Sequence, residues 1–285
     1  MTRNPRAALI IGLVASCLCL GASASELHVP ASVTAGSGLS ISASGSGAAT
    51  LYVIGPGTAI KRKVELGQAI QLSADDLQNA GRYVVSLAGD SATFFVTPGP
   101  VHSIAFLARP SRVPVDTSGV ISGTAFVFDK YRNLVLEPQT VKFELSANGQ
   151  TVSHSQMTKD GIAYTKLDSS KKEGVAQFVA SSGPASVRRV VQEVASDPCS
   201  IRMNAAPNQQ GILLRTDPIR DCAGNLVPDG TIVTFTATDS EGKSTVDARI
   251  RQGIAEAELP ASNNATISVA SGVVVGNEIQ WRGDR

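Results

Sequence analysis

The chain has 285 residues, of which 42% are hydrophobic and 5% aromatic, with 25 basic and 24 acidic side chains. This length fits two or three domains, and so few aromatic residues are typical of small β domains with aliphatic cores rather than of a protein with a deep ligand cavity. The nearly neutral charge gives no reason to expect nucleic-acid binding or a basic membrane-binding face.

The first 24 residues predict a secretory signal peptide, cleaved after Ala24. Two arginines precede an apolar run at residues 7–20, which is too short for a comfortable membrane span, and Ala22-Ser23-Ala24 offers small residues for cleavage. A second interpretation is lipidation of Cys17, because Val14-Ala15-Ser16-Cys17 resembles a lipobox. We therefore expect an exported protein that is periplasmic, cell-surface or extracellular, with no membrane span in the mature chain. A lipid anchor at Cys17 is the alternative.

Two cysteines remain in the mature chain, Cys199 and Cys222. A cysteine pair in an exported protein indicates a disulfide. A hairpin centred on Asn208-Gln209-Gln210-Gly211, with strands at 200–205 and 212–221, would place the two residues opposite each other. Such a bond would contribute about 3 kcal/mol in the chain-entropy model. Two free thiols are the alternative.

Residues 26–98 predict a first immunoglobulin-like β-sandwich domain. A tyrosine, Tyr83, opens a strand two residues after Ala80-Gly81, which fits the tyrosine corner of such sandwiches; an ordinary turn before a strand is the alternative. At most one helical turn is expected, at 74–80. The predicted strands are 37–42, 50–54, 61–66, 82–88 and 92–96.

Residues 101–194 predict a second domain, and residues 198–285 a third. Apolar and polar residues alternate along seven short runs of the second domain, as in half-buried strands. Without crossover helices, that pattern favours an antiparallel sandwich. Prolines at 98, 100 and 198 restrict the two linkers. The seven runs are 103–108, 120–129, 141–147, 153–158, 162–168, 175–181 and 187–194.

An internal repeat relates the second and third domains. Residues 129–167 align without a gap to residues 221–259, at a constant offset of 92. Such a period indicates tandem copies of one small domain, and the even offset keeps the same strand face inward in both. The residues that recur are Asp129, Asn133, Leu134, Val135, Val141, Phe143, Gly161, Ile162, Ala163 and Leu167.

The third domain resembles the bacterial immunoglobulin-like domains of the invasin/intimin group. The resemblance rests on the segment from Asp221 through Gly224-Asn225-Leu226-Val227-Pro228-Asp229-Gly230, then Val233-Thr234-Phe235 and Gly253-Ile254-Ala255 with Leu259. It implies three tandem immunoglobulin-like antiparallel sandwiches and a stalk or adhesion role. The second domain departs from the pattern with Arg132 in place of glycine and Leu136 in place of proline, so we expect altered turn geometry there.

Three candidate sites have ordinary structural explanations. His28, His102 and His154 are scattered and have no metal-ligand spacing. The sequence Ser169-Ser170-Lys171-Lys172 has the Ser-x-x-Lys spacing of some acyl-transfer enzymes but lies between strands, where we expect a surface turn. Trp281 is expected to pack in the core, with surface contact to a carbohydrate or partner as the alternative.

The repeated Asp129 and Asp221 have two interpretations. A carboxylate before Asn-Leu-Val caps a turn by accepting backbone N–H bonds; alternatively, it ligates calcium, which requires six to eight oxygens. The C-terminal Arg282-Gly283-Asp284 spells an integrin-recognition tripeptide, and we expect it to be a chance match.

These observations predict an exported, non-enzymatic structural or adhesion module of the bacterial cell envelope, with no catalytic residues, metal or cofactor. The alternative is a periplasmic or surface accessory subunit that binds a partner protein or glycan, for example by strand addition to an exposed sheet edge. The sequence does not identify that partner or the oligomeric state.

Overall fold

The computed structural model describes residues 26–209, 211–260 and 264–283. Nearly all of its regular structure is β-strand, with a single short 3₁₀-helix at Asp75–Leu77 among the described residues. The chain divides into two compact units, one ending at Thr97 and the other beginning at Pro98. The predicted leader, with Cys17, lies outside the described residues.

The first unit is a sandwich of a three-stranded sheet, β1-β3-β6, and a five-stranded sheet, β2-β8-β7-β4-β5. Its long strands alternate buried and exposed residues, which gives each sheet one inward face. We call this unit the first sandwich. Its strands are β1 (Leu27–His28), β2 (Ser32–Thr34), β3 (Leu39–Ala43), β4 (Ala48–Gly55), β5 (Thr58–Glu65), β6 (Ile70–Leu72), β7 (Gly81–Leu87) and β8 (Asp90–Thr97).

Tyr83 forms the tyrosine corner that the sequence predicts. Its ring is fully buried and stacks on Phe94 with 5.2 Å between the centroids. Its hydroxyl donates a hydrogen bond to the Asn79 carbonyl over 2.9 Å. A Cβ at Gly55 would lie 2.3 Å from this ring, so only glycine leaves room for it.

The second unit holds two hydrophobic cores, each inside its own sandwich. The middle sandwich consists of the sheets β14-β11-β9 and β10-β16-β15-β12-β13. At its centre, the rings of Phe106, Phe143 and Phe178 lie with centroids 5.0 to 6.1 Å apart. Its strands are β9 (Ser103–Arg109), β10 (Arg112–Pro114), β11 (Ile121–Phe128), β12 (Thr140–Ala147), β13 (Gln150–Met157), β14 (Ile162–Leu167), β15 (Gly174–Ser182) and β16 (Ala185–Val194).

The last sandwich consists of the sheets β17-β18-β21 and β20-β19-β22-β23. Phe235 is fully buried and is the one aromatic residue among the buried core residues described for this sandwich. The predicted boundaries between the second and third domains stay predictions. The strands of the last sandwich are β17 (Met203–Asn208), β18 (Gly211–Thr216), β19 (Ile232–Thr238), β20 (Lys243–Arg249), β21 (Glu256–Leu259), β22 (Asn264–Ser271) and β23 (Val274–Arg282).

The predicted all-β, immunoglobulin-like fold is confirmed, with one refinement. All seven runs predicted for the middle sandwich form strands. The purely antiparallel expectation misses two short parallel pairs, β2 with β8 and β10 with β16. In each pair the first strand, β2 or β10, has only three residues, too few for an alternation to stand out in the sequence.

The hairpin around residues 208–211 has a different register from the predicted one. Asn208 pairs with Gly211, and Met203 with Thr216, so the strands are offset by two residues from the register that would place Cys199 directly opposite Cys222. Regular pairing ends at Thr216, and the chain then bends so that Ser200 bridges Arg220. This irregularity brings Cys199 beside Cys222, and the two are disulfide-bonded with 4.7 Å between their Cα atoms.

The repeat has a direct packing explanation in the second unit. Gly161 and Gly253 both follow a residue of positive φ and have φ values of 78° and 80° themselves. A Cβ on Gly161 would lie 2.4 Å from Leu134, and one on Gly253 would lie 2.6 Å from Leu226. The recurring leucine therefore covers the recurring glycine turn in both copies.

The expectation of altered turn geometry at Arg132 is wrong. Arg132 has φ 67°, in the left-handed region, and its sibling Gly224 has φ 90°. In both copies the N–H at this position bonds to the carbonyl of the repeated aspartate, Asp129 or Asp221. The middle sandwich keeps the same turn and places a non-glycine residue in a conformation that glycine adopts more readily.

Candidate functional site

The repeated aspartates occupy equivalent buried positions and bind the chain that enters each sandwich. Asp129 accepts hydrogen bonds from the N–H groups of Tyr131 and Asn133 through Oδ1, and from Gly99 N–H through Oδ2. Gly99 lies in the linker that precedes the middle sandwich. The Asn133 side-chain amide donates to the same carboxylate over 2.8 Å.

Asp221 repeats this arrangement in the last sandwich. Its Oδ1 accepts Asn225 N–H over 2.8 Å, and its Oδ2 accepts Ser196 N–H over 3.1 Å. Ser196 lies in the linker between the middle and last sandwiches. The Asn225 side-chain amide donates to both carboxylate oxygens. The repeated Asp-Asn pair therefore caps its own turn and also fixes the incoming linker.

The electrostatics of both carboxylates follow from these bonds. Burial by itself raises the pKa of Asp129, but the donors on Asn133, Gly99 and Tyr131 outweigh it and hold the pKa below its ordinary value. Burial likewise raises the pKa of Asp221, and bonds from Asn225, Ser196 and Ala223 lower it further than burial raises it. Both groups are thus stabilised in the charged form. Because N–H donors already occupy their oxygens, the geometry fits the capping role rather than calcium ligation.

Asn225 also reaches across to the middle sandwich. Its side-chain amide donates to the Lys171 carbonyl over 2.8 Å, and its Oδ1 accepts Glu173 N–H over 3.3 Å. We call these contacts, together with the Ser196–Asp221 bond, the joint. The joint ties the last sandwich to the segment that follows β14 of the middle sandwich.

The Ser169–Lys172 segment is not the simple surface turn that we expected. Ser169 is buried, and its hydroxyl donates to the Pro114 carbonyl over 2.7 Å. Ser170 N–H and its hydroxyl both bond to the fully buried carboxyl of Glu193. Only the two lysines are exposed. This polar network fixes the segment that carries the Lys171 carbonyl, so the middle sandwich presents a rigid acceptor to Asn225.

An open cavity of about 690 Å³ borders this segment within the middle sandwich. It is lined by Asn148, Val152, Asp168 and Lys172, among others. Asp168 accepts Gly119 N–H and the Ser118 hydroxyl, and these two bonds lower its pKa. Asn148 likewise donates to the Ser170 hydroxyl and to the Lys172 carbonyl, so these groups of the wall are bonded within the sandwich.

The disulfide strengthens the same end of the last sandwich. Cys222 directly follows the linker-binding Asp221, and Cys199 lies shortly after Ser196. Cys199 N–H also donates to the Arg220 carbonyl over 2.9 Å. The linker is therefore held to the capping loop by a covalent bond in addition to the Ser196–Asp221 hydrogen bond.

The remaining predicted residues are not brought together. His28, His102 and His154 are each exposed and lie on different strands or linkers. Trp281 is half-buried and packs against the core of the last sandwich, in agreement with the core position predicted from the sequence. Asp284 of the Arg282-Gly283-Asp284 tripeptide lies outside the described residues.

Within residues 26–209, 211–260 and 264–283, no three His, Cys, Asp or Glu side chains are grouped so that they could hold a metal ion. No helix in the same described ranges has the length and apolar character needed to cross a membrane.

No protein-family model matches the chain, and no curated protein matches it in sequence. Solved structures nevertheless resemble it. The Escherichia coli adhesin FdeC superposes with a TM-score of 0.59 at 15% identity, over 91% of this chain and 97% of that one. InvD of Yersinia pseudotuberculosis has a TM-score of 0.48 at 12% identity, over 88% of this chain and 94% of that one. The bacterial integrin-binding protein invasin has a TM-score of 0.46 at 14% identity, over 88% of this chain and 57% of that one. These neighbours are bacterial immunoglobulin-like proteins of the invasin/intimin group, and the chain shares with FdeC the fold of tandem immunoglobulin-like domains.

Proposed function

We propose that this protein is an exported, non-enzymatic adhesion or structural module of the bacterial cell envelope, built from tandem immunoglobulin-like domains. The joint at Asn225 is the observation that carries the proposal. A module that presents a binding surface under mechanical load needs neighbouring sandwiches that do not swing freely. Asn225 bonds to the middle sandwich, and Asp221 bonds to the linker. The similarity in fold to a bacterial adhesin is consistent with this role.

Export is tested by fractionating native cells and determining the mature N-terminus by mass spectrometry. We expect a chain that begins at Ser25 in the periplasmic, surface or extracellular fraction. A mature chain that begins at a lipidated Cys17 would support export with an anchor instead. An unprocessed chain confined to the cytoplasm would overturn the proposal.

Adhesion is tested with beads coated with the purified protein and passed under flow over immobilised glycans, extracellular-matrix proteins and intact bacterial envelopes. We expect retention on at least one surface. Beads coated with an Asn225→Ala variant should detach at lower flow, because the joint is loosened while the outer surfaces are unchanged. Absence of retention on every surface, or a hydrolase or transferase activity of the protein, would overturn the proposal.

A second candidate function, an accessory subunit that binds a partner protein or glycan, is favoured by the first sandwich. The outer face of its five-stranded sheet exposes Tyr52, Ile54 and Phe95. Lys61 lies over the Tyr52 ring, with its Nζ 5.6 Å from the centroid. Exposed aromatic side chains next to a cation are suited to binding a sugar or a protein surface.

Pull-down from envelope extract tests this second candidate. A Tyr52→Ser/Phe95→Ser variant should lose a partner that the wild-type protein captures. Tyr164→Ser is the matched control, because Tyr164 is an equally exposed aromatic residue on β14 of the middle sandwich. Equal capture by both variants would exclude the outer face of the first sandwich as the binding surface.

A further inference from the structure

The middle sandwich has one edge strand that differs from all the others in the described part of the chain. Strand β13 forms the end of the five-stranded sheet, and all eight of its residues are exposed. Its sequence, Gln-Thr-Val-Ser-His-Ser-Gln-Met, has no Lys, Arg, Asp, Glu or Pro. Edge strands normally avoid pairing with other chains by means of charges, prolines, bulges or short length.

The other edge strands within the described ranges use these protective features. Strands β1, β2, β6 and β10 have only two or three residues. Strand β17 contains Pro207. Strands β5, β9, β14, β20, β21 and β23 each carry at least one charged side chain. Strand β13 is therefore the single long edge, among those described, that has neither charge nor proline.

The hairpin geometry identifies the backbone groups that β13 leaves free. Asn148 and Gly149 both have positive φ, at 51° and 78°, which defines a two-residue type I′ turn. In such a hairpin the flanking residues, Ala147 and Gln150, form a hydrogen-bonded pair, and every second pair along the ladder does the same. The bond from Thr158 N–H to the Gln139 carbonyl shows that the even-numbered residue is again the one bonded to the neighbouring strand, just beyond the end of β13.

Even-numbered residues of β13 thus bond to β12, and odd-numbered residues direct their N–H and C=O groups outward. The outward set is Thr151, Ser153, Ser155 and Met157. An antiparallel edge strand with four free residues at the same two-residue spacing can satisfy all four. A second copy of β13 has that spacing by construction.

We propose that β13 is a self-association edge, at which two copies of this chain pair through antiparallel β13 strands related by a two-fold axis at His154. In this register Thr151 lies opposite Met157 of the second copy, and Ser153 lies opposite Ser155. All four outward residues of both copies are then paired, which forms about eight hydrogen bonds. The two five-stranded sheets join into one continuous sheet.

The sibling strand β20 carries charges that disfavour the same self-pairing, and β13 lacks them. Residues 151 and 157 correspond to Lys243 and Arg249 at the repeat offset of 92. The same two-fold pairing of β20 would place Lys243 directly opposite Arg249 of the other copy. Like charges directly opposite each other destabilise a strand pair. The last sandwich thus carries charges that prevent self-pairing, and the middle sandwich has an uncharged residue at both positions.

This inference does not depend on the proposed adhesive function, since self-association requires neither export nor an external ligand. It is tested by sedimentation equilibrium of the purified protein and of two double variants. Thr151→Lys/Met157→Arg copies the charges of β20 onto β13. Thr151→Lys/Met157→Glu has the same lysine but places opposite charges across the two-fold axis. Thr151 and Met157 are both exposed, so unchanged thermal unfolding is expected to confirm that each variant folds.

The wild-type protein is expected to form a concentration-dependent dimer. The Lys/Arg variant should weaken self-association by about tenfold or more, because two like-charge pairs form in each dimer. The Lys/Glu variant should restore wild-type or tighter association. A monomeric wild-type protein, or a Lys/Glu variant no better than the Lys/Arg variant, would overturn the proposal. The first of these results would leave strand addition from a different protein as the use of this edge.

Amide hydrogen exchange gives an independent measurement on the wild-type chain. The N–H groups of Thr151, Ser153, Ser155 and Met157 should become protected as protein concentration rises. Those of Val152, His154 and Gln156 should be protected at every concentration, because they already bond to β12. Protection that appears equally at odd and even positions would contradict pairing through this edge.

Discussion

The side-chain amide of Asn225 in the last sandwich donates a hydrogen bond to the Lys171 carbonyl in the middle sandwich, over 2.8 Å. The same amide donates to the Asp221 carboxylate, which in turn accepts the linker N–H of Ser196. One asparagine thus connects the capping loop of its own sandwich, the linker, and the preceding sandwich. A residue that recurs as part of a fold signature therefore also acts between sandwiches.

Replacing Asn225 with alanine should loosen the joint and weaken the last sandwich. Asp221 would lose its amide donor, and loss of a hydrogen bond to a charged group costs about 1.5–3 kcal/mol. We expect the last sandwich to unfold at lower denaturant concentration and Glu173 N–H to exchange faster. Chemical denaturation and hydrogen exchange measure the two effects separately.

Lys171→Ala is the matched control for the joint. Its carbonyl is the acceptor, and its exposed side chain takes no part in the bond. Exchange at Glu173 should therefore stay at the wild-type rate. Equal acceleration by Asn225→Ala and Lys171→Ala would show that the joint depends on the lysine side chain instead.

Acid should destabilise the protein through Asp129 and Asp221. Hydrogen bonding holds the pKa of each carboxyl below its ordinary value in the folded chain. The unfolded chain therefore binds protons more readily, so the stability that these groups contribute is present above about pH 4 and decreases as the pH falls through the folded pKa. Unfolding free energy measured from pH 7 to pH 2.5 should decrease over this lower range.

Asp221→Asn isolates one of these contributions. The variant should be less stable than the wild-type protein at neutral pH, because a neutral amide accepts the surrounding N–H bonds less well. The difference should narrow as the pH falls below about 4, because the unfolded wild-type chain then binds a proton more readily than the folded chain, whose Asp221 pKa is lowered. Two stability curves that stay parallel down to pH 2.5 would contradict the assignment.

The architecture was predictable because it depends on local and periodic signals. Alternation along Val141, Phe143 and Leu145 identified β12, and all three side chains are buried. The turn before Tyr83 identified the tyrosine corner. Each of these signals spans only a few neighbouring residues, so it can be recognised in a single sequence.

The joint was not predictable for a physical reason. Its contacts between the two sandwiches connect residues more than fifty positions apart, as between Lys171 and Asn225, and a single sequence contains no signal for such pairs. The exposed Ser169–Lys172 turn was expected from its polar composition. Ser170 instead bonds to Glu193, which is fully buried in β16. A glutamate within a strand looks the same in the sequence whether its side chain is buried or exposed, so this bond could not be predicted.

Gly253→Ala should destabilise the last sandwich through a clash and an unfavourable backbone. The added Cβ would lie 2.6 Å from Leu226, and φ is 80° at this position. The two effects together should cost about 2–4 kcal/mol, measured by urea denaturation. The Gly253→Ala/Leu226→Ala double variant removes the clash and keeps the backbone cost. If Leu226 provides the steric barrier, the double variant should cost less than the sum of the two single variants.

Loss of the Cys199–Cys222 bond should affect one sandwich selectively. A Cys199→Ser/Cys222→Ser variant should lose about 3 kcal/mol from the last sandwich, because the unfolded chain gains loop entropy. The middle sandwich has its own core, so its unfolding should change little. Calorimetry with and without reductant should show one transition moving to lower temperature. Equal movement of every transition would mean that the two cores unfold as a single cooperative unit.

Arg132→Gly should stabilise the middle sandwich, which is unusual for a substitution that removes a large side chain. Arg132 is exposed and has φ 67°, whereas its sibling Gly224 has φ 90° in the same turn. Glycine removes the strain of the left-handed backbone in the folded state, but it also raises the conformational entropy of the unfolded chain. The first effect is larger, so the free energy of unfolding should rise by about 0.5–1 kcal/mol. The reciprocal Gly224→Arg variant should lose a similar amount in the last sandwich. The two turns share the hydrogen bond to the repeated aspartate. If urea denaturation shows a gain of stability for Arg132→Gly and a loss for Gly224→Arg, the difference comes from backbone conformation at this single position. A loss of stability in both variants would instead assign it to side-chain contacts of Arg132.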